Sequence, residues 1–356
     1  MIDKKICPTC KQQVDLLANE LGVCPACVNT NVGLKNAGAA HIQSRALFDL
    51  PQKPPRTEGG VRCMLCGCEC EIGEEEWGFC NLRTVVDGKI KHLAGTPQKG
   101  ILHWYRDPLP TNCVADWVCS GSLQSGKHNL AVFYKSCTLD CLNCQNWHFR
   151  QMNPHHSQTI SASKLADHAN SRTYCVCYFG GDPASQMPHA LASAKALANR
   201  GVVVCWETAG TSHPKLLDRA VQLSLETGGC IKFDLKAFSE PLHIALTGWS
   251  NARTLDNFSR AALIHKTRPN HPLVIASTLL IPGYIDPEEV GRIAAFIAKH
   301  DPTIPYALLG FAPAYLMPDL PTTSVQHAES ARQAAIDAGL INVRIGNRHL
   351  LGYDYV

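Results

Sequence analysis

From residue 129 to the end, the chain alternates short apolar runs with longer amphipathic stretches. The runs are the length of strands and rich in β-branched or aromatic residues, at 130–134, 173–179, 202–207, 230–235, 273–281, 306–311 and 342–345. The intervals suit helices: Met187, Leu191, Ala194 and Ala198 share one helical face, and Asp286 before Pro287 is a helix start. Such alternation predicts an α/β fold with a parallel sheet, helices outside it and functional side chains at the strands' carboxyl ends.

Composition narrows the class of protein. The chain has 356 residues, of which 45% are hydrophobic and 18% charged, and its net charge of +3 is too small to indicate a nucleic-acid partner, although it does not exclude one. It lacks an apolar run of membrane-spanning length, and the N-terminus lacks the apolar core of a signal peptide. We therefore expect a cytoplasmic protein with no membrane partner. Eighteen cysteines in such a chain indicate metal ligands.

The first cysteine group predicts a structural zinc site. Two Cys-Pro-x-Cys knuckles, Cys7 with Cys10 and Cys24 with Cys27, stand thirteen residues apart. A segment of this size buries little core, so four thiolates on one zinc ion would supply much of its folding energy. Reduced free cysteines are the alternative. The prolines and glycines at 51–60 indicate a connector between domains. The predicted parts of the chain are a zinc-ribbon-like segment (1–50), a cysteine-rich region (51–127) and a barrel (128–356).

The third cysteine group directly follows the first barrel strand. Cys137, Cys141 and Cys144 have the spacing Cys-x3-Cys-x2-Cys, and a loop this short can hold three irons of a [4Fe-4S] cluster. The fourth iron would keep an open position for a small molecule. A zinc site completed by Cys113 or Cys119, or three solvated thiols, are the alternatives.

This spacing, together with the following Gln-Asn-Trp147, resembles the radical S-adenosylmethionine (radical SAM) superfamily, in the branch of pyruvate formate-lyase activating enzyme and within it the AmmeMemoRadiSam type. The resemblance covers about residue 62 to the C-terminus. It implies a partial (β/α)6-type radical SAM barrel in which SAM binds the open iron. An electron from the cluster then splits SAM, and the resulting 5′-deoxyadenosyl radical abstracts a hydrogen from a substrate.

The resemblance also implies cofactor-binding residues at the strand ends: Gly180, Gly181 and Asp182 for the SAM amino group, Glu207 or Thr208, and the pair Asp234 and Lys236. A plain turn and a structural ion pair are the respective alternatives. Trp147 is expected to flank the adenine or to pack in the core. Ser277, Ala307 and Gly310 stand where related enzymes carry Arg, His and Arg, which leaves the substrate open.

The second cysteine group resembles the N-terminal element of the same enzymes. Cys63, Cys66, Cys70 and Cys80 occupy the matching places, and Cys68 is an additional thiol. Zinc and an auxiliary iron–sulfur cluster are the two alternatives for what these cysteines bind.

The resemblance implies an enzyme that takes electrons from an external one-electron reductant of the flavodoxin or ferredoxin type. A protein is the expected substrate, as for an activase. Modification of a small molecule or RNA is an alternative. A further alternative of another class is an iron–sulfur or zinc electron carrier or scaffold that never cleaves SAM.

Overall fold

A computed structural model describes residues 4–111, 113–268 and 271–355. Its fourteen described strands, β1 to β14, are Lys5–Ile6, Gln13–Val14, Val61–Arg62, Glu71–Ile72, Arg83–Val86, Lys89–His92, Leu102–Pro108, His128–Tyr134, Thr173–Phe179, Val203–Thr208, Ile231–Asp234, Val274–Leu280, Tyr306–Gly310 and Val343–Gly346. The described α-helices, α1 to α9, are Pro25–Val28, Asn31–Ala46, Ala162–Ala166, Met187–Ala198, Pro214–Thr227, Glu240–Thr247, Ala252–Ala262, Pro287–His300 and Val325–Asp337.

The main sheet confirms the predicted α/β barrel. Strands β8 to β14 are parallel and lie side by side in sequence order, with helices in every interval between them. The order β7 to β14 describes an open sheet. It is a partial barrel whose first and last strands remain edges.

One strand of the main sheet was not predicted from the sequence. Residues Leu102–Pro108 form β7, which pairs antiparallel with β8 along its whole length. Because β7 is an edge strand with most side chains partly or fully exposed, its residues lack the apolar run that identified the inner strands.

Local sequence signals set the helix boundaries. Asp286 caps α8 by accepting a hydrogen bond from the Glu289 N–H at 2.8 Å, and Pro287 occupies the first turn, as predicted. The Glu289 carboxylate does not fold back onto the cap; it accepts hydrogen bonds from the N–H groups of Phe238 and Ser239 at 2.6 and 2.8 Å. Helix α8 is thereby tied to the loop after β11.

The N-terminal segment packs directly on the barrel. Leu17, Leu21 and Val23 belong to the same continuous cluster of buried side chains as the barrel strands. The Tyr284 hydroxyl donates to the Val23 carbonyl at 2.9 Å and accepts from the Ala18 N–H at 3.1 Å. Among the helices of the described ranges, none is both long enough and apolar enough to span a bilayer.

Candidate cluster and cofactor site

The cysteine loop begins where β8 ends. Its backbone is fixed to the end of α6, because the N–H groups of Asp140 and Leu142 donate to the carbonyls of Thr247 and Leu246 at 2.8 and 3.1 Å. The loop thus presents Cys137, Cys141 and Cys144 to a cavity of about 770 Å³ at the carboxyl ends of the strands. A cavity of this size can accommodate a nucleoside cofactor together with part of a substrate.

Asp140, inside the cysteine loop, is the centre of a buried polar network. Its carboxylate accepts hydrogen bonds from the Arg150 guanidinium at 3.0 and 3.1 Å and from the Ser44 hydroxyl at 3.1 Å, and the His41 imidazole lies 3.0 Å away. His41 and Ser44 belong to α2, at the far N-terminal end of the chain. The N-terminal segment therefore braces the loop that carries the three cysteines.

The predicted cofactor residues at the strand ends line the same cavity, with one exception. The wall contains Cys137, Cys141, Cys144, Gly180, Gly181, Asp182, Glu207, Thr208, Asp234 and Lys236. Trp147 is the exception among these described residues: it stacks on Tyr315 at 5.6 Å between ring centroids and lies 6.1 Å from the Phe48 ring. The adenine contact and the packing role of Trp147 both stay predictions.

The turn after β9 requires glycine at two successive positions. Gly180 and Gly181 have φ values of +62° and +56°. A Cβ on Gly181 would lie 2.1 Å from the Tyr134 carbonyl oxygen, and a Cβ on Gly180 would lie 2.0 Å from the Phe133 ring. The turn therefore packs its backbone directly against the strand that leads into the cysteine loop.

Asp182 acts as a brace within the protein. Its carboxylate accepts hydrogen bonds from the Ala184 and Ala209 N–H groups at 2.7 and 2.9 Å and from the Thr208 hydroxyl at 3.0 Å. Burial raises the pKa of this carboxyl, and these donors oppose the rise. Because both oxygens are engaged, the backbone of the Gly180–Gly181 turn is the part left to face a ligand. The Thr208 hydroxyl is also engaged within the protein, since it accepts a second hydrogen bond, from the Gly210 N–H at 3.0 Å.

Four charged side chains of alternating sign, here called the charged ladder, line the cavity: Glu207, Lys232, Asp234 and Lys236. Lys232 donates to Glu207 at 2.6 Å and lies 3.5 Å from Asp234, which in turn lies 3.6 Å from the Lys236 ammonium group. The Ser277 hydroxyl also donates to Asp234, at 2.6 Å. Burial alone would raise the pKa of the Asp234 carboxyl, but the ammonium groups of Lys232 and Lys236 hold it below its ordinary value.

Lys232 was not identified from the sequence, and Ser277 was noted only as a position where related enzymes carry Arg. Lys232 shares the strand face of Asp234, two residues away, so period-two alternation would have located it. The Ser277 contact depends on the pairing of Asp234 with Ser277 between β11 and β12, which local sequence does not reveal.

The four cysteines of the N-terminal knuckles come together as predicted. Strands β1 and β2 pair as a hairpin, and the sulfur atoms of Cys7, Cys10, Cys24 and Cys27 all lie within 4.8 Å of one another. A tetrahedral zinc ion with Zn–S bonds of about 2.3 Å needs sulfurs about 3.8 Å apart. The Cys10 and Cys24 sulfurs, 3.9 Å apart, have that separation.

The second cysteine group is gathered more loosely. Its sulfurs border a cavity of about 10 Å³, which is lined by Cys63, Cys66, Cys68, Cys70 and Cys80 among other residues. Within the described ranges, the N-terminal knuckles form the one set of three or more candidate ligand atoms that all lie within 4.8 Å. Arg83 donates to the Cys80 sulfur at 3.1 Å, and the Cys68 thiol donates to the Thr138 carbonyl at 3.3 Å, so this group adjoins the cysteine loop.

Comparison with known proteins agrees with this geometry. Residues 125–231 match the family model of the 4Fe-4S single cluster domain. The chain is 25% identical over 303 residues to an uncharacterised protein of Methanocaldococcus jannaschii, covering 81% of each chain. It is 33% identical over 133 residues to a second protein of that organism, which bears the provisional name glycyl-radical enzyme activating enzyme; the match covers 37% of this chain and 48% of that one.

A domain of pyruvate-formate lyase-activating enzyme from Bacteroides vulgatus is similar in structure, with a TM-score of 0.41 and 21% identity, over 49% of this chain and 99% of that domain. The matched cluster domain and the relative named for glycyl-radical enzyme activation make the chain similar to radical SAM proteins of the pyruvate formate-lyase activating branch. The chain spans about half the length of the glycyl-radical activating relative that it matches.

Proposed function

We propose that the chain is a radical SAM enzyme whose [4Fe-4S] cluster is held by Cys137, Cys141 and Cys144. The observation that carries this proposal is that three cysteines of one short loop share a 770 Å³ cavity with the Gly180–Gly181 turn and with the Asp234–Lys236 pair. Three protein ligands leave one iron free for a chelating small molecule. The same wall offers backbone groups, an acceptor and a cation to that molecule.

The chemistry of the three thiols fits a bound cluster. Burial raises the pKa of the Cys141 thiol to about 11, whereas the nearby Lys236 and Arg150 charges lower it. Iron binds the thiolate, so cluster binding would release protons and place negative charge beside these two cations. Lys236 and Arg150 therefore favour the loaded state of the loop.

The cluster and SAM, not the protein side chains, supply the difficult chemistry. When bound, a cluster held by Cys137, Cys141 and Cys144 would pass one electron from an external flavodoxin-type or ferredoxin-type reductant to SAM, and so would supply reductive cleavage of SAM and hydrogen abstraction from the substrate. The chain contributes the rest: the glycine turn admits the ligand closely, Asp234 and Lys236 orient it, and the braced loop keeps the cysteines in place.

The test is reductive cleavage of SAM. The protein would be reconstituted with iron and sulfide without oxygen, then incubated with dithionite and SAM, and 5′-deoxyadenosine would be quantified by chromatography. We expect product from the wild-type chain and at least a hundredfold less from Cys141→Ala. Equal yields from the two, or no product from a wild-type chain shown to contain the cluster, would favour the carrier or scaffold alternative.

For the substrate, we propose a protein, by analogy with the name of the glycyl-radical activating relative. Under reducing conditions with candidate partners, electron paramagnetic resonance should detect a radical on the partner. Deuterium transferred into 5′-deoxyadenosine from a labelled small molecule or RNA, with no partner radical, would replace this proposal by the small-molecule or RNA alternative.

A further inference from the structure

Six of the eighteen cysteines belong to none of the three predicted metal groups, and all six line one cavity. They are Cys113, Cys119, Cys175, Cys177, Cys205 and Cys230. The cavity has a volume of about 40 Å³. Cys175 lies near the amino end of β9, Cys205 lies in the first half of β10, and Cys230 immediately precedes β11. Cys177 lies further along β9 and also lines the large cavity. We call these six residues the barrel-floor cysteines.

The sheet register brings four of them together. Cys175 and Cys177 are two residues apart on β9 and therefore share one face. Cys205 pairs with Cys177 across the β9–β10 register. Because Trp206 pairs with Ile231, Cys205 lies beside Cys230 at the entry to β11. Three adjacent strands thus direct sulfur atoms into the same part of the barrel interior.

The segment before β8 supplies the other two. Cys119 precedes a 3-10 helix at Ser120–Leu123, and Cys113 and Ala115 pack in a cluster with Cys230 and Ile275. The Cys113 thiol also donates to the Glu207 carboxylate at 3.6 Å, so it lines both this cavity and the large one above. The segment therefore closes the floor of the barrel with two further sulfurs.

Packing alone accounts poorly for this arrangement. A buried cysteine often behaves as a small apolar side chain, but an apolar role predicts a filled core, and protein interiors leave few voids. Asn129, Glu207 and Lys232 also line the cavity and can hydrogen-bond water, but the six thiols that line it are weak partners for water. Thiolates select soft metals and iron–sulfur clusters. An occupant that binds sulfur explains both the cavity and its lining.

The spacing of the barrel-floor sulfurs does not suit a single tetrahedral metal ion. Within the described ranges, no three barrel-floor sulfurs lie within 4.8 Å of one another, and the same holds for Cys137, Cys141 and Cys144. A single tetrahedral ion needs sulfurs about 3.8 Å apart, as in the N-terminal knuckles. In a [4Fe-4S] cluster each cysteine binds a different iron, so the sulfurs stand further apart than around a single ion.

We propose that the barrel-floor cysteines bind an additional iron–sulfur cluster, with Cys119, Cys175, Cys205 and Cys230 as its ligands. Cys113 donates to Glu207, and both Cys113 and Cys177 also line the large cavity. Asn129, which pairs with Cys175, lies five residues before the end of β8 at Tyr134, a distance of about 17 Å along the strand. The cysteine loop starts there, so the proposed cluster is separate from the SAM-binding one. The proposal does not depend on SAM cleavage, because it concerns what the protein binds.

Metal analysis in a background without the SAM-binding cluster tests the proposal. Cys137→Ala/Cys141→Ala/Cys144→Ala protein would be reconstituted anaerobically with iron and sulfide, and iron and acid-labile sulfide would be counted per chain. We expect Cys205→Ser/Cys230→Ser, added to this background, to remove about two to four iron atoms with matching sulfide, together with the corresponding paramagnetic resonance signal after reduction. Cys63→Ser/Cys66→Ser in the same background is the matched control, and it should leave that share of iron in place.

Cys119→Ser is the variant that distinguishes loss of the cluster from a folding defect, because Cys119 lies outside the sheet. It should lower iron and sulfide in parallel and leave the circular dichroism spectrum unchanged. Iron and sulfide contents that are the same with and without Cys205→Ser/Cys230→Ser and Cys119→Ser would overturn the proposal, whatever happens to zinc.

Discussion

The His41 imidazole lies 3.0 Å from the Asp140 carboxylate, which joins the N-terminal helix to the loop that carries Cys137 and Cys141. These two residues are 99 positions apart, and the second ring nitrogen of His41 lies 3.1 Å from the Ala245 carbonyl oxygen. The contact makes the N-terminal segment part of the support of the cluster loop rather than an appendage.

Removing His41 should therefore weaken the cluster loop. We expect His41→Ala to lower the free energy of unfolding by about 1–3 kcal/mol, because Asp140 and Ala245 each lose a buried partner. Asp140→Ala should cost about 3–5 kcal/mol, since it leaves the Arg150 charge buried without its carboxylate. Urea denaturation measures both. Gln43→Ala, exposed on the same helix, is the control and should change stability by less than about 0.5 kcal/mol.

The same network predicts a dependence on pH. Burial alone would raise the pKa of Asp140, but the His41 hydrogen bond and the Arg150 charge hold it below the ordinary value of 3.8. A carboxyl whose pKa is depressed by folding contributes stability above its unfolded pKa and loses it as pH falls through the folded value. Unfolding free energies of the wild type should fall below pH 4 more steeply than those of Asp140→Asn. Parallel curves would show that Asp140 is not the group responsible.

The close approach at Gly181 gives a prediction with a matched control. Gly181→Ala and Gly126→Ala both place alanine at positive φ, at +56° and +80°, so they share the backbone strain. At Gly126 a Cβ meets nothing within 4 Å, whereas at Gly181 it meets the Tyr134 carbonyl. We expect thermal denaturation to show Gly181→Ala as less stable than Gly126→Ala by about 1–3 kcal/mol. Equal losses would mean that the turn relaxes away from β8.

The sequence allowed the barrel and the grouping of the four knuckle cysteines to be predicted, because their signals are local; the metals stay predictions. The inner strands are short runs rich in apolar residues, and the cysteines of a knuckle or loop are close in sequence. The Asp140–His41 contact and the barrel-floor cysteines could not be predicted in this way. The first joins segments 99 residues apart, and the second depends on the register of three strands, in which Cys175, Cys205 and Cys230 each look like an ordinary core residue.

The charged ladder of the cavity predicts unequal effects of its two lysines. Lys232→Met leaves Glu207 and Asp234 facing each other without a cation between them, so it should raise the pKa of the Asp234 carboxyl and lower stability by about 2 kcal/mol. The loss is smaller than for a fully buried pair because 35% of the Asp234 side chain is exposed. Lys236→Met should affect stability less, since its side chain is 29% exposed against 5% for Lys232. Carbon-13 NMR titration of the Asp234 carboxyl checks the shift, and an unchanged pKa in Lys232→Met would contradict it.

Loss of the proposed zinc ion should destabilise the whole chain, because the N-terminal segment shares one core with the barrel through Leu17, Leu21 and the Tyr284 hydroxyl. We expect Cys27→Ser to remove one zinc per chain, measured by elemental analysis, and to lower the melting temperature of the main transition. Gln12→Ser, an exposed position in the same hairpin region, should keep its zinc and its melting temperature. Tyr284→Phe, which removes both hydroxyl contacts, should keep the zinc but separate an early transition of the N-terminal segment from that of the barrel. A full complement of zinc in Cys27→Ser would show that the four knuckle cysteines do not bind the ion together.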